Sequence, residues 1–215
     1  MSLPHAVIIA GGKGDRLGGV RKADLLVGGI RLVDRVAQAL GAVQAPVMIA
    51  VGPQDDGRRA RSDSIAVSDL AAPVGGPLAG LAAAIAALHE RGIGAGLLVS
   101  VAVDTPFLPE DFVAVLAAAL GEASAAYAAW GEQFYPPNSI WQIEALAALP
   151  ERVLEGQAPH SLKALQRELG AVAVDWSSRA PANPFANVNT VGDLVVLGRM
   201  ARTRGLSPLI HRPGN

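Results

Sequence analysis

Cysteine is absent from this 215-residue chain. That excludes a disulfide scaffold, a thiolate-ligated zinc or iron–sulfur centre, and any thiol nucleophile. Histidine is scarce: His5, His89, His160 and His211 are scattered without the spacing of metal ligands. Aromatic residues make up only 4% and charged residues 17%. Eighteen Lys and Arg against 19 Asp and Glu leave a formal net charge of −1. The basic excess of a nucleic-acid binder is therefore missing. The longest apolar run, Leu78 to Leu88, is far short of the roughly 20 residues that span a bilayer. The first residues carry no basic segment ahead of a long apolar stretch, so they do not read as a signal peptide. Neither Gly-x-Ser-x-Gly nor His-Glu-x-x-His occurs. The expectation is a cytoplasmic protein that binds neither nucleic acid nor membrane.

Apolar residues are abundant, at 51%, which is enough to order the chain. In the first half, short apolar runs alternate with stretches of helical spacing. Ala6–Ala10, Val47–Val51, Ser64–Ser68 and Leu97–Val103 read as strands, the last of them central. Leu32–Leu40, Leu78–Leu88 and Phe112–Leu120 read as helices, with Gly41 placed as a C-terminal cap and Pro109 near a first turn. Continuous apolar strands suit a parallel sheet covered on both faces. The predicted fold is α/β: a three-layer α/β/α, open, mostly parallel sheet. Beyond about residue 124, shorter strands are expected at 125–130 and 139–141, around a turn at Tyr135-Pro136-Pro137. Helices near 142–149 and 161–170, a strand at 171–176 and a helix at 190–204 follow. With no internal repeat and no linker, residues 1–206 read as one domain and 207–215 as a frayed tail.

The sharpest motif is Ala10-Gly-Gly-Lys-Gly-Asp-Arg-Leu-Gly-Gly-Val-Arg-Lys22, directly after the first strand. Open α/β sheets bind ligands at the carboxyl ends of their strands. Glycines there let several N–H groups approach anionic oxygens, and Lys13, Arg16, Arg21 and Lys22 add cations. A Walker A loop does not fit, because Val20-Arg21 follows Gly19 where Lys-Ser/Thr is required. A dinucleotide fingerprint does not fit either: Leu17 stands at its third glycine and no acid ends the second strand. A second carboxyl-end residue is Asp104, after Val103 and before Thr105-Pro106. It is suited to hold Mg²⁺ beside phosphate oxygens, although a turn aspartate capping backbone amides has the same sequence. Asp69 follows the third strand similarly, with a surface-loop acid as its plain alternative.

Ile9 to Lys22 resembles the signature Leu-Ala-Gly-Gly-x-x-x-Arg-Met-Gly-x-x-Lys of the molybdenum cofactor guanylyltransferase family. Gly76-Pro-Leu-Ala-Gly80, Asp104-Thr-Pro-Phe-Leu-Pro109 and Asn187-Val-Asn-Thr190 match further family segments in the same order. The resemblance covers residues 6 to about 200 and implies an Mg²⁺-dependent nucleotidyltransferase with GTP and a molybdopterin-type acceptor as substrates. It also implies transient contact with molybdenum cofactor enzymes or chaperones. Carried over residue by residue, it puts Ile9, Ala10, Gly11 and Gly12 on the nucleotide. Arg16 and Lys22 would bind phosphates in catalytic roles, Asp69 would lie on the nucleotide, and Asp104 would hold Mg²⁺ as the catalytic metal ligand. Asn187 and Asn189 would face the crevice on the phosphate or acceptor side. Two-residue spacing puts those asparagines on one face of an extended segment, while Thr190-Val-Gly-Asp193 reads as a capping box that Asn189 could merely shape.

The chain departs from the family pattern at Arg21, Ala50, Tyr135-Pro136 and Pro159-His160-Ser161, positions that bear on base and acceptor choice. Transfer of another nucleotide such as cytidylyl, a sugar or polyol phosphate acceptor, or a catalytically silent nucleotide-binding regulator are the other readings. Arg58, Arg59 and Arg61 read as a solvated loop. Arg199, Arg202 and Arg204 suit a helix C-terminus. Trp130, Trp141 and Trp176 read as core residues rather than stacking platforms.

Overall fold

A computed structural model describes residues 2–11, 20–52, 63–70 and 75–205, the side chains at 191 and 202–205 excepted. Strand β1 (His5–Ile9) leads into the glycine-rich segment. A 3-10 turn at Lys22–Asp24 and a small hairpin of β2 (Leu26–Val27) and β3 (Ile30–Arg31) come next. Then follow α1 (Leu32–Ala39), β4 (Val47–Val51), β5 (Ser64–Ser68), α2 (Pro77–His89), β6 (Leu97–Ala102) and α3 (Phe112–Leu120). The second half holds β7 (Ala125–Trp130), β8 (Gln133–Gln142), α4 (Leu149–Leu154), α5 (Leu162–Glu168), β9 (Val172–Asp175) and α6 (Val191–Gly205). Among the described residues no helix is long and apolar enough to cross a membrane.

Seven strands form one sheet in the order β5-β4-β1-β6-β8-β7-β9. β8 is antiparallel to both of its neighbours, and the other pairings within this sheet are parallel, so six strands share one direction. Alternation along β1 shows why both faces are covered. Ala6 and Ile8 enter a core with Val33, Val36, Phe112, Leu116 and Leu197, whereas Val7 and Ile9 enter one with Leu81, Ile85, Leu149 and Leu165. Helices α1, α3 and α6 thus cover one face and α2, α4 and α5 the other, the expected three layers. α2 is buried along most of its length by small side chains. It begins at Pro77 behind Gly76, whose φ of 77° needs a glycine.

Two expectations need correction. The chain does not turn at Tyr135-Pro136-Pro137: β8 runs through both prolines as a single ten-residue strand, and the reversal falls at Gly131-Glu132. The strand tolerates prolines because its register with β7 jumps there, from Tyr127↔Ser139 to Ala128↔Tyr135. Residues 136–138 are left out of the ladder, so the missing proline N–H groups break no pairing. The helix expected near 142–149 is a 3-10 turn at Glu144–Leu146 followed by α4, which starts later because Pro150 suits a first turn. The capping box is present: Thr190 Oγ1 accepts from the Asp193 N–H at 3.1 Å, and Asp193 Oδ2 accepts from the N–H groups of Asn189 and Thr190.

Candidate active site

At the carboxyl end of β6 the chain turns sharply. The Thr105 N–H and hydroxyl both donate to the Ala102 carbonyl, at 3.2 and 2.8 Å, and Asp104 sits within the turn. This turn is fastened to its surroundings twice. Val103 N–H donates to the Ile9 carbonyl, and Val188 N–H to the Asp104 carbonyl. Asp104 therefore stands where β1, β6 and the 187–190 segment converge.

Lys22, leading its 3-10 turn, extends an ammonium that donates to Asp104 Oδ2 at 2.7 Å and to Asn189 Oδ1 at 2.8 Å. Both charged side chains are mostly buried, at 16% and 15% exposure, so the pair is less screened than a surface ion pair. One cation thus joins three segments that are remote in sequence.

A cavity of about 210 Å³ opens beside this pair. Ile9, Gly11 and Asp69 line one part of its wall, and Lys22, Asp104 and Asn187 also line it. Tyr135, Pro137 and Asn138 of β8 line another, and Gly76-Pro77 contribute the start of α2. By strand order, the β1, β4 and β5 residues lie on one side of Asp104 and those of β8 on the other.

The β1 side is built by close approach of backbones. A methyl group at Gly11 would stand 3.3 Å from the Gly52 nitrogen and 3.5 Å from Asp69 Oδ2. One at Gly80 of α2 would stand 3.0 Å from the Ala50 methyl. Asp69 is anchored through its N–H to the Val51 carbonyl, and burial pushes its carboxyl above the ordinary aspartate value. Ala10 N–H is bonded to the Ala50 carbonyl, so the carbonyl is its remaining backbone group. Ile9 reaches the cavity with its own carbonyl already occupied by Val103 N–H.

The β8 side is built by buried polar side chains. Ser100 Oγ donates to the Pro137 carbonyl at 2.8 Å and accepts from Trp141 Nε1 at 2.9 Å. Ser139 Oγ and Gln166 Nε2 both donate to the Pro136 carbonyl, and Gln166 also reaches Ser139. Tyr135 packs 5.2 Å from the Phe185 ring, and its hydroxyl donates to Gln133 Oε1 and accepts from Asn183.

Of the site residues read from sequence, Ile9, Gly11, Lys22, Asp69, Asp104 and Asn187 meet at one cavity, and Asn189 holds the lysine. Ala10 is buried just behind them. Gly12 and Arg16 lie outside the described residues, as do Arg58, Arg59, Arg61 and the 207–215 tail. Trp141 and Trp176 are core, and Trp130 is half-buried. Sequence reasoning missed Asn138, for which the only local signal is an asparagine following two prolines inside a β-pattern.

A family model described as a MobA-like NTP transferase domain matches residues 6–172. A molybdenum cofactor guanylyltransferase of Acidiphilium cryptum is 38% identical over 191 residues, 88% of this chain and 91% of that one. One from Nitrobacter hamburgensis is 32% identical, covering 94% and 96%. Among solved structures, molybdopterin-guanine dinucleotide biosynthesis protein A from Archaeoglobus fulgidus superposes with a TM-score of 0.70. Its identity is 19%, covering 93% of this chain and 99% of that one. The 2-C-methyl-D-erythritol 4-phosphate cytidylyltransferase of Thermus thermophilus gives 0.63 at 20% identity, covering 94% and 100%. These two likenesses establish the fold, the α/β sheet of nucleotidyltransferases. The family match and the identities to curated relatives settle membership: the chain belongs to the MobA-like NTP transferase family and is a nucleotidyltransferase.

Proposed function

We propose that this enzyme transfers a guanylyl group from GTP to the phosphate of a molybdopterin-type acceptor, with Mg²⁺, in the cytoplasm. An acceptor phosphate oxygen attacks the α-phosphorus, forming a new P–O bond. The bond from that phosphorus to the α–β bridging oxygen breaks, and its electron pair leaves with pyrophosphate. No protein nucleophile is needed, which agrees with a chain that has no cysteine. What the protein must supply is in-line positioning and fixed positive charge.

The observation that carries this reading is the Lys22 ammonium held by Asp104 and Asn189 at the edge of a cavity that has β1 residues on one side and β8 residues on the other. That placement suits a cation that meets the phosphates of two substrates. The β1 side, with Gly11 and Asp69, would take the nucleotide; the β8 side and Asn187 would take the acceptor. The resemblance adds Arg16 as a second phosphate-binding cation.

Asp104 also fits a magnesium ligand. It is a partly exposed carboxylate on the cavity wall, and Lys22 uses only its Oδ2. Among the described residues no group of three or more acidic or histidine side chains is placed to cage a metal. Magnesium on one carboxylate, with phosphate oxygens and waters completing its shell, needs no such cage. Bound there, the ion would neutralise negative charge on the phosphates. Lys22 supplies a fixed charge beside it, and the turn bracketed by Ala102 and Thr105 keeps Asp104 in place.

A nucleotide panel tests the reading. With Mg²⁺ present, GTP should raise the melting temperature more than ATP, CTP or UTP, since a ligand at about 100 times its dissociation constant stabilises the fold by about 2.7 kcal/mol. Pyrophosphate release should then require GTP and molybdopterin together. A shift with CTP and none with GTP transfers the proposal to cytidylyl chemistry, and binding without pyrophosphate release supports a silent regulator.

A further inference from the structure

Residues 136–138 of β8 are left out of the ladder with β7, Pro137 and Asn138 line the cavity, and nearly every buried polar group there has a partner. The Pro136 carbonyl accepts from Ser139 and Gln166, and the Pro137 carbonyl accepts from Ser100. Asn138 is 1% exposed, and its Oδ1 accepts from the Ala102 N–H at 2.9 Å, with the Thr105 hydroxyl oxygen 3.3 Å away. A backbone N–H can only donate, so the atom facing Ala102 is the carbonyl oxygen. The other end of the side chain is therefore the amide nitrogen, with two hydrogens to give. Among the described residues that nitrogen has no hydrogen-bond partner, a condition that only Trp176 Nε1 shares among them. Trp176 belongs to an aromatic cluster with Phe112 and Phe185, whereas Asn138 lines the active-site cavity.

A buried donor left unpaired costs free energy and calls for an explanation. The β6–β8 pairing ends at Ser100↔Ser139, and the Asn138 side-chain carbonyl takes over by accepting from the Ala102 N–H. The same carbonyl steadies the turn that presents Asp104. We infer that Asn138 is a specificity residue of the acceptor site, whose amide donates to an anionic oxygen of the acceptor when it binds. Strand order supports the acceptor as the occupant, because β8 lies across β6 from the nucleotide-side strands β1, β4 and β5. A phosphate oxygen, anionic and rich in lone pairs, is the chemical match for a dry N–H donor. The inference rests on the proposed transfer reaction and adds to it a residue that reads the acceptor.

Asn138→Asp tests it, because aspartate keeps an oxygen for the Ala102 N–H while replacing the donor with an acceptor. Molybdopterin binding is measured calorimetrically, GTP·Mg²⁺ binding by melting-temperature shift without molybdopterin, and turnover by pyrophosphate release. The expected pattern is a rise of about 10- to 100-fold in the molybdopterin Kd and KM, with the GTP shift unchanged. Asn138→Ala, which adds no charge and serves if the aspartate variant fails to fold, should show the same loss for molybdopterin. It should also lower kcat, since the Asp104 turn loses its tie. Wild-type molybdopterin affinity in either folded variant overturns the role of Asn138, and so does equal weakening of GTP and molybdopterin. Wild-type protein that neither binds molybdopterin nor releases pyrophosphate overturns instead the substrate assignment on which the inference rests.

Discussion

The two sides of the cavity are made in opposite ways. On the β1 side the wall is backbone and small side chains: Gly11 against Gly52, Gly80 against Ala50. There, chemistry comes from loops at parallel strand ends, and the sequence carries it as a compact motif. On the β8 side one reversed strand with two prolines is held by its own Ser139 and Trp141 together with Ser100 of β6 and Gln166 of α5, which are remote in sequence. The first construction leaves room for a ligand to touch main chain. The second fixes a surface whose buried polar groups are partnered, the Asn138 amide nitrogen excepted. Lys22 and Asp104 lie between them and serve both, so breaking either should cost more than damage to one side alone.

The largest expected effect is at Asp104. Asp104→Ala removes the proposed metal ligand and should lower turnover by about three orders of magnitude, the several kcal/mol a metal contributes. The fold should survive, because the Val188 bond is to the Asp104 backbone. Steady-state assays at saturating Mg²⁺ check this, with circular dichroism for the fold.

Lys22→Ala should lower the single-turnover rate by about a hundredfold and weaken GTP binding much less. Charge grows on departing pyrophosphate as the bond breaks, so a fixed cation favours that state over the ground state. A normal single-turnover rate with a much weaker GTP Kd reverses this assignment. Ser100→Ala attacks the β8 side alone. It leaves buried Trp141 Nε1 and the Pro137 carbonyl without their partner, so stability should fall by about 2 kcal/mol, or roughly 4–8 °C in melting temperature. Gly11→Ala attacks the β1 side alone. Its methyl would press on the Gly52 backbone, so GTP binding should weaken about tenfold, with molybdopterin affinity retained. A parallel loss of both affinities in Gly11→Ala would erase the division between the two sides.

The smallest effect concerns pH. Burial raises the Asp69 carboxyl above its ordinary value near 3.8. A raised carboxyl contributes stability that is complete below the unfolded value and is lost as pH rises through the folded one. Asp69→Asn should therefore be slightly more stable than wild type at neutral pH, and the gap should close on acidification towards about pH 4. Thermal melts of both proteins across that range check the sign.

The parallel half was legible because its signals are local. Apolar runs ending in Gly11 and Gly52 mark strands, Gly41 ends α1 with a φ of 65°, and Asp104 lies two residues past the end of a central strand. The two ends of the glycine motif, Gly11 and Lys22, and Asn187 meet at one cavity, and Asn189 holds the lysine. The second half was harder. Pro136-Pro137 carry a strong turn signal, and only the register jump opposite Tyr127 and Ala128, a tertiary feature, lets a strand run through them. The hairpin of β2 and β3 is too short to leave a periodicity. Asn138 was invisible because its importance lies in what its amide lacks, and that depends on Ala102 and Thr105, more than thirty residues away.

One measurement addresses the union of the two sides at Lys22 and Asp104 most directly. Enzyme loaded with GTP and Mg²⁺ is mixed with a limiting amount of molybdopterin, and the products of a single turnover are weighed by mass spectrometry. We expect one equivalent of a molybdopterin–guanine dinucleotide for each equivalent of pyrophosphate, with none of the dinucleotide formed by Asp104→Ala on the same timescale. Conversion of GTP without a dinucleotide, or a dinucleotide formed from CTP and not from GTP, refutes the proposed transfer.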